Sequence, residues 1–487
     1  MFIKRIKNTK KVLITVLFVF LSVMFLAQNS YNINKKYSPE VLKEDARLIK
    51  DVVLKMHPVI GIYNSRSYYE KHFNSIIDGL KDSLTEKEFR LKLKLMLYPL
   101  YCGHTEVMPS RAYTKAARPM AFNYLPYYLM AVNNKLYSVL AVDPKKDSAL
   151  SRGTEILKIN NIGTDSIFNF TRLMMFSDGY INSGKNHFLC TGINYYYPGY
   201  FGRPDSFYFE VKKKDEIKKV SAKAYNTKLL PWLPVGPKED TTLQKHKRAN
   251  ISNGYSKQNN GIYILKVRSF KSSRFKRVYR QTFRTLRRNK TENLVLDLRN
   301  NGGGSLGNSY DLLSYLLNKK ETITLKTHIR KYPYRKQVAG KIMFRLTRIG
   351  LRIMGKKHQN GDTLFYTQTI KPKNRNHYNG KIYLLLNGGS FSASCTLAAY
   401  LKENKNTVII GSETGGTREG CNAGMTTYYT LPNTKLKVRV PAFRIVHDIN
   451  PTFTGRGIMP DYPIVYGFED LIKRRDLEMA KVRELLK

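Results

Sequence analysis

Ser392 is the side chain whose neighbours best suit it to nucleophilic chemistry. The run from Ile382 to Leu386 is apolar and long enough for one buried strand, and Asn387, Gly388 and Gly389 break it. From Ser392 the pattern turns helical, with Leu397, Ala398 and Leu401 on one face. A strand that passes through a Gly-rich turn into a helix leaves the first helical N–H groups unpaired and aimed at one spot. A serine there sits beside donors able to hold an oxyanion. The same place also suits a helix cap, the commoner use of a residue such as Ser392 or Ser390. The four cysteines, Cys102, Cys190, Cys395 and Cys421, show no CxxC and no Cys/His ligand spacing, so no metal site is expected. Their pairing is not readable from spacing.

The elements that must position this serine follow the chain in order. Residues 38–110 read as helices. Ser38-Pro39-Glu40 is a helix start, and Leu42, Ala46, Ile49, Val52, Val53 and Met56 follow at helical spacing as far as His57-Pro58. Two more helices are predicted near residues 67–80 and 85–100, the last running into Tyr101-Cys102-Gly103-His104-Thr105. Short strands dominate the reading of residues 120–225, and 226–260, polar and proline-containing, read as a linker. Residues 261–319 give strand, basic helix, strand, the Gly-rich Asn300 to Gly304, and helix. That is βαβ logic, so a parallel sheet is expected within a core spanning 261–470. Residues 321–380 read as an insertion carrying 14 Lys/Arg against 2 Asp/Glu, with a basic amphipathic helix near 341–357. That helix suits a lid, an anionic membrane surface, or packing on its own domain. A charged helix closes the chain at 471–487.

The whole composition narrows the classes of function. With 487 residues and 42% hydrophobic residues, the chain can bury a sizeable core in two or three domains. The formal charge of +48 predicts attraction to anionic partners, an anionic membrane surface among them. No nucleic-acid-binding motif accompanies that charge, so no nucleic-acid partner is expected. Lys4, Arg5, Lys7, Lys10 and Lys11 precede an apolar run from Val12 to Ala27. Residues 1–27 therefore read as a signal peptide or signal anchor, and the body of the protein as exported, periplasmic or secreted.

Four stretches, DLRNNGGG (297–304), NGGSFSAS (387–394), GSETGG (411–416) and GRGIMPD (455–461), stand in this order. The sequence resembles the S41 serine peptidases, the carboxyl-terminal processing and tail-specific proteases together with the tricorn-like branch. The resemblance implies a mixed, multidomain α/β protein. It would have a helical N-terminal region carrying a histidine motif, a PDZ-like β domain at 120–225, and a ClpP/crotonase-like peptidase core. The segment from Gly153 to Gly163 looks like part of the PDZ-like module. In one branch of the family a lysine about 25 residues after the serine is the base, and here that place is Thr417. In the tricorn-like branch a histidine serves, and His104 in Cys102-Gly103-His104-Thr105 matches it.

The resemblance implies Ser392 as nucleophile and His104 as general base, since imidazole can take and return a proton near neutral pH. It places the oxyanion between the backbone N–H groups of Ala393 and Gly303, with Gly302 the alternative. Where the tricorn-like pattern has a glutamate near the last motif, this chain has Thr454, so Glu413 and Asp448 are the candidate orienting acids. Cys395 reads as a helix residue. The expected activity is endopeptidase action on exported proteins or peptides, without a cofactor. The rival expectations are an inactive S41-like binding protein, and a polyanion or membrane-surface binder.

Overall fold

The computed structural model describes residues 31–487, apart from 146–148, 176, 214, 232–235, 260, 328–332, 335, 340–341, 343–344, 347–348, 350–355, 361–362 and 450–454. The expected signal segment and most of the expected basic helix at 341–357 lie outside the described residues. Among the described residues, no helix is long and apolar enough to cross a membrane.

Three helices open the chain. Helix α1 (Pro39–Met56) follows an extended Ser38, has proline in its first turn, and buries Leu42, Ala46, Ile49, Val52, Val53 and Met56. Helix α2 (Arg66–Asp78) is capped by Ser65, whose side chain accepts the Tyr68 N–H. Helix α3 (Glu86–Leu97) starts with a reciprocal Thr85/Glu88 capping box. The chain then turns at Tyr101, in left-handed backbone with φ 46°, and enters strand β1 (Glu106–Met108). The histidine motif is the short loop between that turn and β1.

The middle region is a sheet with helices packed on it. Strands β2 (Tyr127–Val132), β3 (Lys135–Ala141), β4 (Glu155–Ile159), β5 (Ser206–Lys213) and β6 (Glu216–Lys223) pair antiparallel in the order β6-β5-β4-β3-β2. Asn160 and Asn161, both at positive φ, turn the chain from β4 back to Ile162–Gly163, as a two-residue hairpin requires. Two helices are unexpected in a region read as dominated by short strands: α4 (Thr164–Leu173) and α5 (Ser183–Tyr200). Gly184, Gly192, Pro198 and a run of tyrosines give α5 a poor local helix signal. Tertiary contacts fix it instead, with the buried Asn194 side chain accepting the Leu129 N–H and donating to the Tyr127 carbonyl.

Strands β7 (Gln244–His246) and β8 (Ile251–Tyr255) fall within the stretch expected to be a linker, yet they belong to the core sheet. They pair antiparallel through β8 onto β9 (Tyr263–Val267), so only the part before residue 244 can connect modules. Helix α6 (Phe275–Arg288) buries Phe275, Val278, Tyr279, Phe283 and Leu286, and turns its arginines outward. Strand β10 (Asn293–Asp297) lies parallel to β9, and the Gly-rich turn follows it into helix α7 (Leu306–Ser314). Strands β11 (Glu321–Thr327) and β12 (Thr363–Ile370) form part of a second, antiparallel sheet.

Strand β13 (Lys381–Leu386) returns to the first sheet beside β10, helix α8 (Ala393–Lys402) follows it, and β14 (Thr407–Gly411) lies parallel on its far side. Leu294, Leu296, Ile382, Leu384 and Leu386 are wholly buried here. Each contributes on the order of 1.5–3 kcal/mol of transfer free energy, which keeps the ends of β10 and β13 in register. Strand β15 (Gly420–Cys421) joins the second sheet; β16 (Thr426–Thr430) and β17 (Lys437–Pro441) form a third with β1; β18 (Arg444–His447) pairs with β11 and β15. The short β19 (Tyr462–Pro463) edges the first sheet, and helix α9 (Leu477–Leu485) packs against that sheet. The β1–β17 pairing carries the histidine loop into the core.

Candidate active site

Ser392 lies at the start of α8, but its side chain makes no capping bond. Its backbone is at φ 58°, ψ −118°, a conformation that costs a non-glycine residue on the order of 1–3 kcal/mol. The turn before it holds that conformation in place. The Asn387 side chain accepts the N–H groups of Asn300 and Gly389. The Ser390 hydroxyl donates to the Leu298 carbonyl, and Ser394 donates to that of Asn301. Ser390 and Ser394 thus staple this turn to the Gly-rich turn after β10, and leave Ser392 Oγ pointing elsewhere.

Ser392 Oγ meets His104 Nε2 at 3.1 Å. The imidazole stacks on Phe391, with ring centroids 4.8 Å apart. Arg439 on β17 donates from its Nε to the His104 carbonyl at 2.8 Å, holding the loop from behind. Burial, assisted by the nearby Arg439 cation, pushes the imidazole down to about 3, so at neutral pH it is uncharged and able to accept a proton. Its other nitrogen, Nδ1, is buried and has no hydrogen-bond partner among the described residues.

The backbone N–H groups expected as oxyanion donors are not equally available. Ala393 is the first residue of α8, so its N–H is among those a helix leaves unpaired. The Gly303 N–H, in contrast, is spent on the Asn301 side chain at 2.9 Å. Gly302 is the glycine that opens on the cleft: nothing lies within 4 Å of where its Cβ would be. Gly303 serves as a close-packed spacer. It sits at φ 90°, and a Cβ there would meet the Phe391 carbonyl oxygen at 2.7 Å and Ser392 Cβ at 2.8 Å. Gly303→Ala is therefore expected to cost roughly 1–3 kcal/mol of stability and to displace Ser392. Gly302→Ala should leave stability nearly unchanged. Thermal unfolding of the two variants side by side checks this.

The acids expected to orient His104 have other partners. Glu413 holds Arg456 through both carboxylate oxygens and accepts the Gly457 N–H. It shapes the last motif and does not bond the imidazole. Asp448 is exposed and accepts from Thr324. The acid that does lie beside His104 is Asp178, which sequence reasoning missed. Asp178 is 1% exposed, and its Oδ1 accepts the Gly103 N–H at 2.8 Å. It stands in FSDGYIN, a stretch with no recognisable motif, where Asp-Gly signals at most a turn.

At the place of the missing lysine, buried Thr417 donates to the Gly420 carbonyl. Lys402 is engaged with the Met459 carbonyl and Asp461. Cys395 is a buried α8 residue whose thiol donates to the Ser390 carbonyl, and burial pushes it up to about 12. Among the described residues, one group has donors able to hold a metal ion. A ring nitrogen of His104, a carboxylate oxygen of Asp178 and Cys421 Sγ lie within 4.8 Å of one another. A metal there would want the Cys421 thiolate, whereas burial holds that thiol well above its ordinary value.

A cavity of 690 Å³ opens in front of this pair. Its wall includes His104, Ser392, Gly302 and Phe391 from the core, and Lys185 and Phe188 from α5. Helix α5 is fixed there by a close approach, since a Cβ on Gly388 would meet the Ser183 carbonyl at 2.3 Å. The middle region therefore forms one side of the cleft.

A serine on a strained strand-to-helix turn, hydrogen-bonded to an uncharged imidazole and next to free amide donors, is an arrangement suited to a hydrolase. The sequence model of peptidase family S41 matches residues 261–464, the core that holds Ser392 and the Gly-rich turn, and that match supports a serine-type peptidase. Two solved structures share its fold. One is mature CPAF complexed with lactacystin, at TM-score 0.63 and 15% identity, covering 92% of this chain and 98% of that one. The other is mature CPAF, at TM-score 0.61 and 15% identity, covering 92% and 97%. No curated protein matches the sequence.

Proposed function

We propose that this peptidase hydrolyses internal peptide bonds of exported proteins or peptides, with Ser392 as nucleophile and His104 as general base. The observation that carries this reading is the 3.1 Å contact between His104 Nε2 and Ser392 Oγ, made by residues 288 positions apart. The substrate carbonyl lies in the cleft with its oxygen towards the Ala393 and Gly302 N–H groups. Ser392 Oγ attacks the carbonyl carbon as its proton passes to Nε2. The oxyanion is held by the two amides until the C–N bond breaks, and His104 gives the proton to the leaving amine. A water, deprotonated by the same nitrogen, then cleaves the acyl-enzyme ester and regenerates Ser392.

Export rests on the basic-then-apolar segment at 1–27, as a signal peptide or a retained anchor. A PDZ-like role for the middle sheet, capturing a substrate C-terminus by strand addition, rests on the Gly153 to Gly163 resemblance. The test is fluorophosphonate labelling of the purified protein. The wild type is expected to label and His104→Ala to label at least about a hundred times more slowly, as loss of a general base implies. An unlabelled, folded wild type would favour an inactive binding protein instead. The formal charge of +48 supports a second reading, binding to an anionic membrane surface. Salt-sensitive binding to anionic vesicles, retained by Ser392→Ala, would mark it.

A further inference from the structure

We propose that Asp178 is the positioning residue of this site, accepting the His104 Nδ1 proton and balancing the charge His104 gains when it deprotonates Ser392. The inference rests on the Ser392/His104 reading and adds the partner that reading lacks. If Nε2 is to accept the serine proton, Nδ1 must carry the ring hydrogen, and a buried N–H needs an acceptor. His104 Nδ1 and Asp178 Oδ2 are both buried, and neither has a partner among the described residues. The two side chains bring a ring nitrogen and a carboxylate oxygen within 4.8 Å. Cys421 Sγ shares that space and is a weak acceptor beside a carboxylate.

The backbone ties Asp178 to the histidine loop. Its Oδ1 accepts the N–H of Gly103, the residue before His104. Gly179 donates to the Tyr101 carbonyl at 3.0 Å, and Tyr180 to the Gly455 carbonyl at 2.8 Å. The first two bonds hold the carboxyl against the histidine loop, and the third ties the segment after it to the last motif.

The electrostatics point the same way. Burial pushes the Asp178 carboxyl up to about 7 and the His104 imidazole down to about 3. Each group alone resists its charge, and an imidazole that weak makes a poor base. A carboxylate against Nδ1 lets the two charges offset one another, so base strength is restored when the pair forms. The other groups facing Asp178 are Arg444, which favours its ionised form, and Glu419, which opposes it. Tyr63, Cys102, Cys395 and Cys421 also face it, and burial keeps all four protonated.

The experiment compares wild type, Asp178→Asn, His104→Ala and Ser392→Ala by fluorophosphonate labelling rate across pH. It adds the ¹⁵N shifts of wild-type His104. Asp178→Asn is expected to label about 10²–10⁴ times more slowly than wild type. Its rate should rise to a plateau at lower pH, because the base has lost its carboxylate. A merely structural Asp178 would lower stability while the folded protein kept the wild-type pH limb. Wild-type His104 is expected to show a protonated, hydrogen-bonded Nδ1. An unchanged labelling rate and limb in Asp178→Asn overturns the proposal. So does an Nε2–H tautomer in wild-type His104, a reading that stands even if the variant does not fold. Full labelling of His104→Ala would instead overturn the underlying Ser392/His104 reading.

Discussion

Ser392→Ala is expected to give a folded protein that takes no fluorophosphonate label and cleaves peptides at least about a thousand times more slowly. In the proposed mechanism the loss is large because the hydroxyl is the reacting atom, while the amides of Ala393 and Gly302 only stabilise charge that a nucleophile has created. The same position offers a separation of chemistry from folding. Ser392 sits at φ 58°, ψ −118°, where only glycine avoids a Cβ clash with its own backbone. Ser392→Gly is thus expected to be equally inactive yet more stable than wild type by about 1 kcal/mol. A Ser392→Ala protein that still hydrolyses peptides would remove Ser392 from the mechanism. A Ser392→Gly protein less stable than wild type would mean that the turn is not under strain.

The parts of the site that were legible in sequence are those encoded by short, contiguous patterns. The apolar run into Asn387-Gly388-Gly389 marks strand β13 and its exit, and the structure places Ser392 where that pattern puts it. His104 is legible because its motif is local. What was not legible depends on partners distant in the chain. Asp178 has no motif, and the bonds of Gly103, Gly179 and Tyr180 to distant partners bring it beside His104. Gly302 and Gly303 are equivalent as letters, and the Asn301 side chain takes up the N–H of Gly303. Glu413 was a reasonable orienting acid by position, but Arg456 and the Gly457 N–H claim its carboxylate. Helix α5, poor in helix formers, forms because the sheet of the middle region and the Ser392 turn cover it on two sides. Strands β7 and β8 have too few apolar residues to read as strands, and they form by pairing on β9.

The Gly-rich turn that carries Gly302, one of the two proposed oxyanion donors, is itself anchored from behind by Arg299, and the second large effect is expected there. Arg299, 8% exposed, holds Asp297 and Asp476 through paired bonds of 2.8–3.0 Å and Glu478 at 2.9 Å. It links the end of β10 to the start of α9, and one cation balances three carboxylates. Burial alone would raise the Asp297 carboxyl, but Arg299 and Lys266 together hold it well below the usual carboxylate range. Arg299→Met keeps most of the volume and removes the charge, leaving three carboxylates facing one another, those of Asp297 and Glu478 out of water. The expected loss is about 3–5 kcal/mol of stability near neutral pH, measured by denaturant unfolding. The pH dependence has a definite sign. A carboxyl whose folded value is depressed stabilises the fold above its unfolded value, about 3.9, and loses that stabilisation as pH falls towards the folded value. Wild type loses this contribution on acidification, whereas Arg299→Met, with Asp297 left to Lys266 alone, has less of it to lose. The gap between the two is therefore expected to be widest near pH 7 and to narrow below about pH 4. A gap that stayed constant with pH would mean that Arg299 stabilises the turn by packing its stem, and that its charge contributes little.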